Sequence, residues 1–336
     1  MINLDIKDRK ILFYLLQNSR QTLKSIGKKT GISKELTSFR IKRLMSQKII
    51  TKFPTNVNFA KMGYTYTDIF FQFKNINPKI KKEIITFATN SPITSYVSLL
   101  EGKYDFQFEA LLGDPHEFEA FYDELKRKYQ KYLTFVDWVT WIRGEHYNYS
   151  FLINSKKNIT KPWIWHWGNL ILADIDELEY AILKELSDDA RMQTKEIANN
   201  VNSTVTIVNN RLQKLIKNGV ILSFTANVDW SKLGYDWYHL QIFLNDYNKK
   251  SQILNLIRKS PHLIRTFKGL YYDIDIHCTF LFQQQNQLRD LIEQITKKFP
   301  NEISNHQFYR TFKVFKHEYM VPKLLNTKNP LLKTKK

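Results

Sequence analysis

The sequence predicts an α+β protein of two tandem modules, each three helices and a short β-wing followed by a βαββαβ unit. Three observations carry this. The run ILFYLLQNSRQTLKSI from Ile11 returns as ILKELSDDARMQTKEI from Ile182, 171 residues later. Residues 4–64 laid on 175–235 without a gap share 16 identities in 61 positions, among them Leu12/Leu183, Arg20/Arg191, Ile26/Ile197, Arg40/Arg211, Leu44/Leu215 and Gly63/Gly234. Within each copy the hydrophobic period then switches from helical to alternating.

The elements follow in order. Ile6, Ile11, Leu12, Leu15 and Leu16 form a helical stripe. A short second helix starts near Thr22 and runs through Ile26. Gly31-Ile32-Ser33 makes a turn, and Ser33 is the type of residue that caps a helix N-terminus. A third helix runs to about Gln47 with Thr37, Ile41 and Leu44 inward, and Ile49 to Val57 reads as a β-wing. Helix, helix, tight turn, helix, wing is a winged helix-turn-helix pattern.

The second half of module 1 reads as strands near 64–74, 93–101, 104–112 and 133–146, with helices near 78–90 and 115–130. Module 2 reads as strands near 235–245, 263–269, 272–282 and 305–316, with helices near 248–259 and 286–299. This order is the ferredoxin-like split motif, an antiparallel sheet with helices on one face. The open face needs a cover, and the sheet of the other module supplies one as a built-in pseudo-dimer. The expected division is a basic winged helix-turn-helix (1–60), a ferredoxin-like domain (61–151), a Trp-rich linker (152–172), an acidic winged helix-turn-helix (173–231), a second ferredoxin-like domain (232–325) and a basic tail (326–336).

The formal net charge of +19 points to a polyanionic partner, and its distribution is uneven. Residues 1–60 hold 13 Lys/Arg against 3 Asp/Glu, a net of +10. The matching segment 172–231 holds 6 against 9, a net of −3. A lysine-rich background composition would treat both copies alike, whereas phosphate binding needs cations on one face. The sole cysteine, Cys278, allows neither an internal disulfide nor a Cys-based zinc site. No apolar run reaches the roughly 18 residues of a membrane span, and the N-terminus MINLDIKDRK has no signal-peptide pattern. The expectation is a cytoplasmic protein with no membrane partner.

Taken together, Asp5-x-x-Asp8-x-x-Ile11-Leu12, Arg20, Gly31-Ile32-Ser33, Arg40-Ile41-x-x-Leu44 and Ile49-Ile50 resemble the DNA-binding domain of the Lrp/AsnC transcription regulators. The βαββαβ half resembles their RAM domain, and Gly102-x-Tyr104-Asp105 is similar to its glycine/aspartate turn. The resemblance covers almost the whole chain, twice, where the family normally has one module per chain. Module 2 departs from it at Asn202-Ser203-Thr204, which lacks the turn glycine, and at Gly269-Leu-Tyr-Tyr-Asp273, one residue longer. The resemblance implies a regulator that binds double-stranded DNA, assembles as a homo-oligomer and senses small ligands such as amino acids. Siroheme decarboxylases look like the same two-domain module and are enzymes, which gives the alternative reading.

On this basis Lys34, Glu35, Ser38 and Lys42 are expected at base edges, and Lys24, Lys28, Arg43 and Lys52 at phosphates, with Ser33 capping the reading helix. Arg40, matched by Arg211 in the acidic copy, is expected to be structural. Val205, Thr206, Asn209, Asn210 and Gln213 occupy the matching face of module 2, where Asp188, Asp189 and Glu196 would repel phosphate. Gly102, Tyr104 and Asp105, with Gly269, Tyr272 and Asp273, are the candidate effector residues, or plain turns. Under the enzyme reading His146 and His317 are acid/base candidates, with Arg143 or Arg310 for propionates. Trp163, Trp165 and Trp167 alternate as one extended face, a ligand platform or an aromatic strap. No metal-ligand spacing, Walker loop or GxSxG occurs, so no cofactor and no catalytic residue are assigned.

Overall fold

The computed structural model describes residues 2–154, 163–166, 171–270, 274–321 and 324. The first module opens with α1 (Ile6–Gln17), α2 (Leu23–Thr30) and α3 (Lys34–Ser46). Each starts where a side chain can accept a backbone N–H left free by the first turn: Asp5, Thr22 and Ser33. Gly31, in the left-handed region at φ 69°, ends α2. In the second module α6 (Glu177–Leu186), α7 (Thr194–Asn200) and α8 (Val205–Lys217) repeat the arrangement, with a capping box between Asp176 and Glu179. The helical stripes of both copies meet in one hydrophobic core. Ile11, Leu12, Leu15, Ile26 and Leu44 share it with Ile182, Leu183, Leu186, Ile197 and Leu215.

The wings form where the sequence places them and are exchanged between the modules. Rather than closing a hairpin within its own module, β1 (Ile50–Lys52) pairs with β9 (Asn227–Val228), and β2 (Thr55–Val57) pairs with β8 (Ile221–Phe224). Strands of two to four residues hold few ladder bonds alone. Exchange between copies lets Ile50, Val57, Ile221 and Val228 all bury in the shared core.

Module 1 continues as β3 (Thr65–Phe73), α4 (Pro78–Asn90), β4 (Thr94–Gly102), β5 (Phe106–Leu112), α5 (Pro115–Tyr129) and β6 (Leu133–His146). A strand β7 (Trp163–His166) follows, and module 2 ends with β10 (Asp236–Leu244), α9 (Lys250–Ile257), β11 (Leu263–Leu270), β12 (Ile276–Phe282), α10 (Gln285–Lys298) and β13 (Ile303–His317). Within each module the strand order is the ferredoxin-like one, β4-β5-β3-β6 and β11-β12-β10-β13. The long strands β6 and β13 each reach into the other module, β6 onto β11 and β13 onto β4. The two sheets thereby close into one antiparallel barrel with no free edge among these eight strands. Alternate residues face the helices: Ile69, Phe71, Phe106 and Phe108 pack with α4 and α5, and Leu240, Ile242, Phe280 and Phe282 with α9 and α10. The other residues face the barrel interior.

Candidate functional site

The reading face begins with the turn between α2 and α3. A Cβ at Gly27 would stand 2.7 Å from the Ile32 carbonyl oxygen and 3.0 Å from Thr37 Oγ1, so only glycine lets α2 approach this turn. Ser33 accepts the Leu36 N–H at 3.1 Å and fixes where α3 begins. From that start Thr37, Ile41 and Leu44 turn inward. Lys34, Glu35, Leu36, Phe39 and Lys42 are exposed, Ser38 is half-buried, and Lys24 and Lys28 are exposed on α2. None of Lys24, Lys28, Lys34 and Lys42 makes an ion pair among the described residues.

Two of the expected phosphate contacts are engaged elsewhere. Asp8, 2% exposed, receives Arg40 Nη1 at 2.9 Å and Arg43 Nη2 at 2.5 Å. Arg43 therefore neutralises a buried carboxylate of its own domain. Arg40 also meets Asp5 at 2.6 Å, and these carboxylates raise its pKa. Lys52 Nζ lies 2.8 Å from Asp188 of the acidic module and 5.3 Å from the Tyr319 ring centroid. The wing exchange puts it there. The acidic copy repeats the internal pairs, Arg211 with Asp176 at 2.9 Å and Lys214 with Glu179 at 2.8 Å. Its outward face is uncharged at Val205, Thr206, Ile207, Asn209, Asn210 and Gln213, all exposed.

The proposed effector turn has structural partners. Gly102 sits at φ +117°, and a Cβ there would lie 2.8 Å from the Phe308 carbonyl oxygen, because β4 and β13 run together at this point. Tyr104 is fully buried and donates its hydroxyl to Asp137 Oδ2 at 2.6 Å. Asp105 Oδ2 accepts the Phe73 N–H at 2.8 Å. Gly269 marks a register shift in the β11–β6 pairing. Tyr272 and Asp273 lie outside the described residues, as does Trp167. The backbone of β7 pairs with Arg143–His146 of β6.

A second cluster, absent from the sequence reading, fills the barrel interior. Module 1 contributes acids: Asp68 and Glu109 face each other across β3 and β5. Asp68 accepts Trp141 Nε1–H at 2.9 Å and Glu109 accepts Ser95 Oγ–H at 2.5 Å. Loss of water raises both above the usual carboxylate range. Module 2 contributes bases. His239 is held between Thr311 Oγ1 at 3.1 Å and Thr279 Oγ1 at 3.2 Å, and stacks on Tyr309 with centroids 4.4 Å apart. His277 lies 3.3 Å from the Tyr309 hydroxyl, and burial lowers its pKa to about 3. Arg265 stands opposite His146 and Thr279 in the strand register, its guanidinium 5.6 Å from the Trp237 ring centroid. Its Nε is buried without a hydrogen-bond partner among the described residues. Arg143 and Arg310, the expected propionate partners, instead pair with Glu145 at 2.8 Å and with Glu101 and Asp236 at 2.5 and 2.7 Å. The sequence signal for this cluster was a single charged or imidazole side chain within a largely apolar strand, Asp68 in TYTDIFFQF and His277 in IHCTFLF.

A family model described as winged helix-turn-helix DNA-binding matches twice, at residues 4–51 and 175–221. An uncharacterized HTH-type transcriptional regulator of Pyrococcus furiosus is 33% identical over 108 residues, which are 32% of this chain and 73% of that protein. The HTH-type transcriptional regulator LrpB of Bacillus subtilis is 25% identical over 150 residues, 43% of this chain and 93% of that protein. Across both modules the fold is that of the siroheme decarboxylase NirDL, with a TM-score of 0.64, 12% identity and coverage of 95% of this chain and 96% of that one. With two matched winged helices and relatives each aligned over about one module's length, the chain belongs to the Lrp/AsnC family of winged helix-turn-helix transcriptional regulators.

Proposed function

We propose that this protein is a sequence-specific DNA-binding regulator whose first module reads duplex DNA through α3. The carrying observation is the exposed face of α2 and α3 on which Lys24, Lys28, Lys34 and Lys42 stand without ion pairs among the described residues, while both arginines of α3 are spent internally. Free cations on one helix face are what phosphate neutralisation requires. The acidic module carries Asn199, Val205 and Gln213 at the positions of Lys28, Lys34 and Lys42, so palindromic DNA takes one reader from each of two chains. No helix among the described residues is long and apolar enough to cross a membrane, and the proposed site of action is the cytoplasm. The test is a mobility-shift assay on the DNA upstream of the protein's own gene. Lys34→Ala with Lys42→Ala weakens the shift, and Val205→Ala with Gln213→Ala leaves it. Equal loss from both pairs defeats the assignment.

A second reading is favoured by the barrel interior. Opposed acids, imidazoles whose pKa burial lowers, and a guanidinium whose Nε has no partner among the described residues form the kind of perturbed cluster found at ligand and catalytic sites. NirDL, which has this fold, is a siroheme decarboxylase. In this reading Arg265 holds a carboxylate of a tetrapyrrole and His239 or His277 moves a proton. Absorbance titration with siroheme tests it; a spectrum unchanged by the protein removes the reading.

A further inference from the structure

Phe39 is 60% exposed, more than any other phenylalanine of the described residues. It lies at the centre of the outward stripe of α3, one turn after Glu35 and three residues before Lys42. Leu36, 39% exposed, is its apolar neighbour on the preceding turn. A phenyl ring exposed on a helix face gains by being covered, and here it stands on the face proposed to meet DNA. The surrounding charge selects what covers it. With Lys34 and Lys42 on the same helix and Lys24 and Lys28 exposed on α2, none in an ion pair among the described residues, a second copy of this face is repelled and a polyanion is attracted. The major groove of DNA offers one apolar group among its base edges, the C5-methyl of thymine, and phenylalanine is among the side chains that meet it. At the equivalent position the acidic module carries Asn210, a polar residue.

We propose that Phe39 is a specificity-determining residue that reads a thymine methyl group in the major groove, with the flanking lysines on phosphates. This rests on the DNA-reading function above and names the base feature it selects. In module 1, then, one base step of the site is chosen by an apolar contact, while Glu35 and Ser38 are left for the polar edges.

The experiment selects tight duplexes from a random pool with the full chain. The best duplex is then remade with deoxyuridine in place of each thymidine in turn, which removes only the methyl group. At one or two positions uracil weakens binding of the wild type about fourfold, the worth of one buried methylene-sized group. Phe39→Ala weakens binding of the thymine duplex by a similar factor and is indifferent to uracil at those positions, whereas Phe39→Leu keeps part of the discrimination. Circular dichroism of the variants matches wild type, because the side chain is exposed on the helix surface. If a duplex is selected but uracil is neutral at every position, the methyl contact is overturned and DNA reading stands. If no duplex is enriched, both fall together.

Discussion

Arg20 and Arg191, equivalent residues of the two repeats, exchange places in each other's module. Arg20 Nη1 donates to the carbonyls of Ala190 at 2.6 Å and Met192 at 3.1 Å, and Arg191 Nη1 donates to those of Ser19 and Gln21. Each guanidinium also lies 5.4 Å from the ring centroid of a phenylalanine on a wing, Phe224 for Arg20 and Phe53 for Arg191. The pair binds the helix-turn-helix domains into one unit about a local two-fold axis, alongside the exchanged wings.

Removing either arginine leaves two part-buried carbonyls unpaired. Arg20→Ala and Arg191→Ala are each expected to lower unfolding free energy by about 2–4 kcal/mol. Lysine at either position recovers less than half of this, since one ammonium cannot hold two divergent carbonyls and stack on a ring as a planar fork does. Urea denaturation of the four variants checks both statements.

The turn at Gly102 carries no spare room. Gly102→Ala combines an unfavourable φ of +117° with a Cβ 2.8 Å from a carbonyl oxygen of β13. The expected cost is about 2–4 kcal/mol, from a strained backbone and a displaced strand. A G102A protein as stable as wild type would show that β4 and β13 do not close the barrel here.

Stability also reports the buried imidazole. Folded His277 has its pKa lowered to about 3 from an ordinary 6.5, so between these values the unfolded chain binds the extra proton. Stability contributed by the neutral ring is present above the ordinary value and falls as pH drops toward 3, by up to about 1.4 kcal/mol per pH unit. Asp68 and Glu109 work in the other direction. Their raised pKa values mean that the folded state keeps protons the unfolded state has lost, so their contribution falls as pH rises past the ordinary carboxylate values. His277→Gln removes only the first effect. Urea unfolding at intervals between pH 4 and pH 7 should show a shallower acid-side loss in that variant than in wild type.

Much of this fold was legible in the chain because its signals are local. Period 3.6 and period 2 patterns placed the helices and barrel strands, Ser33 announced the start of α3, and the repeat of Arg40 at Arg211 marked a structural pair, now seen with Asp5 and Asp8. What the chain concealed is non-local. Two copies of a short apolar wing pair equally well within or between modules by sequence alone, so the exchange of β1 and β2 was not readable. Arg43 and Lys52 look like free cations until folding brings Asp8 and Asp188 beside them. Asp68 and His239 each occupy one polar position on a strand. Only barrel closure turns them toward the same interior.

The most direct test of the central claim is the salt dependence of duplex binding, measured by fluorescence anisotropy on the upstream DNA. Wild type should lose affinity steeply as salt rises, and Lys34→Ala with Lys42→Ala should reduce the slope of log K against log salt by about 2. A double variant whose slope and affinity match wild type would show that the first recognition helix does not meet DNA.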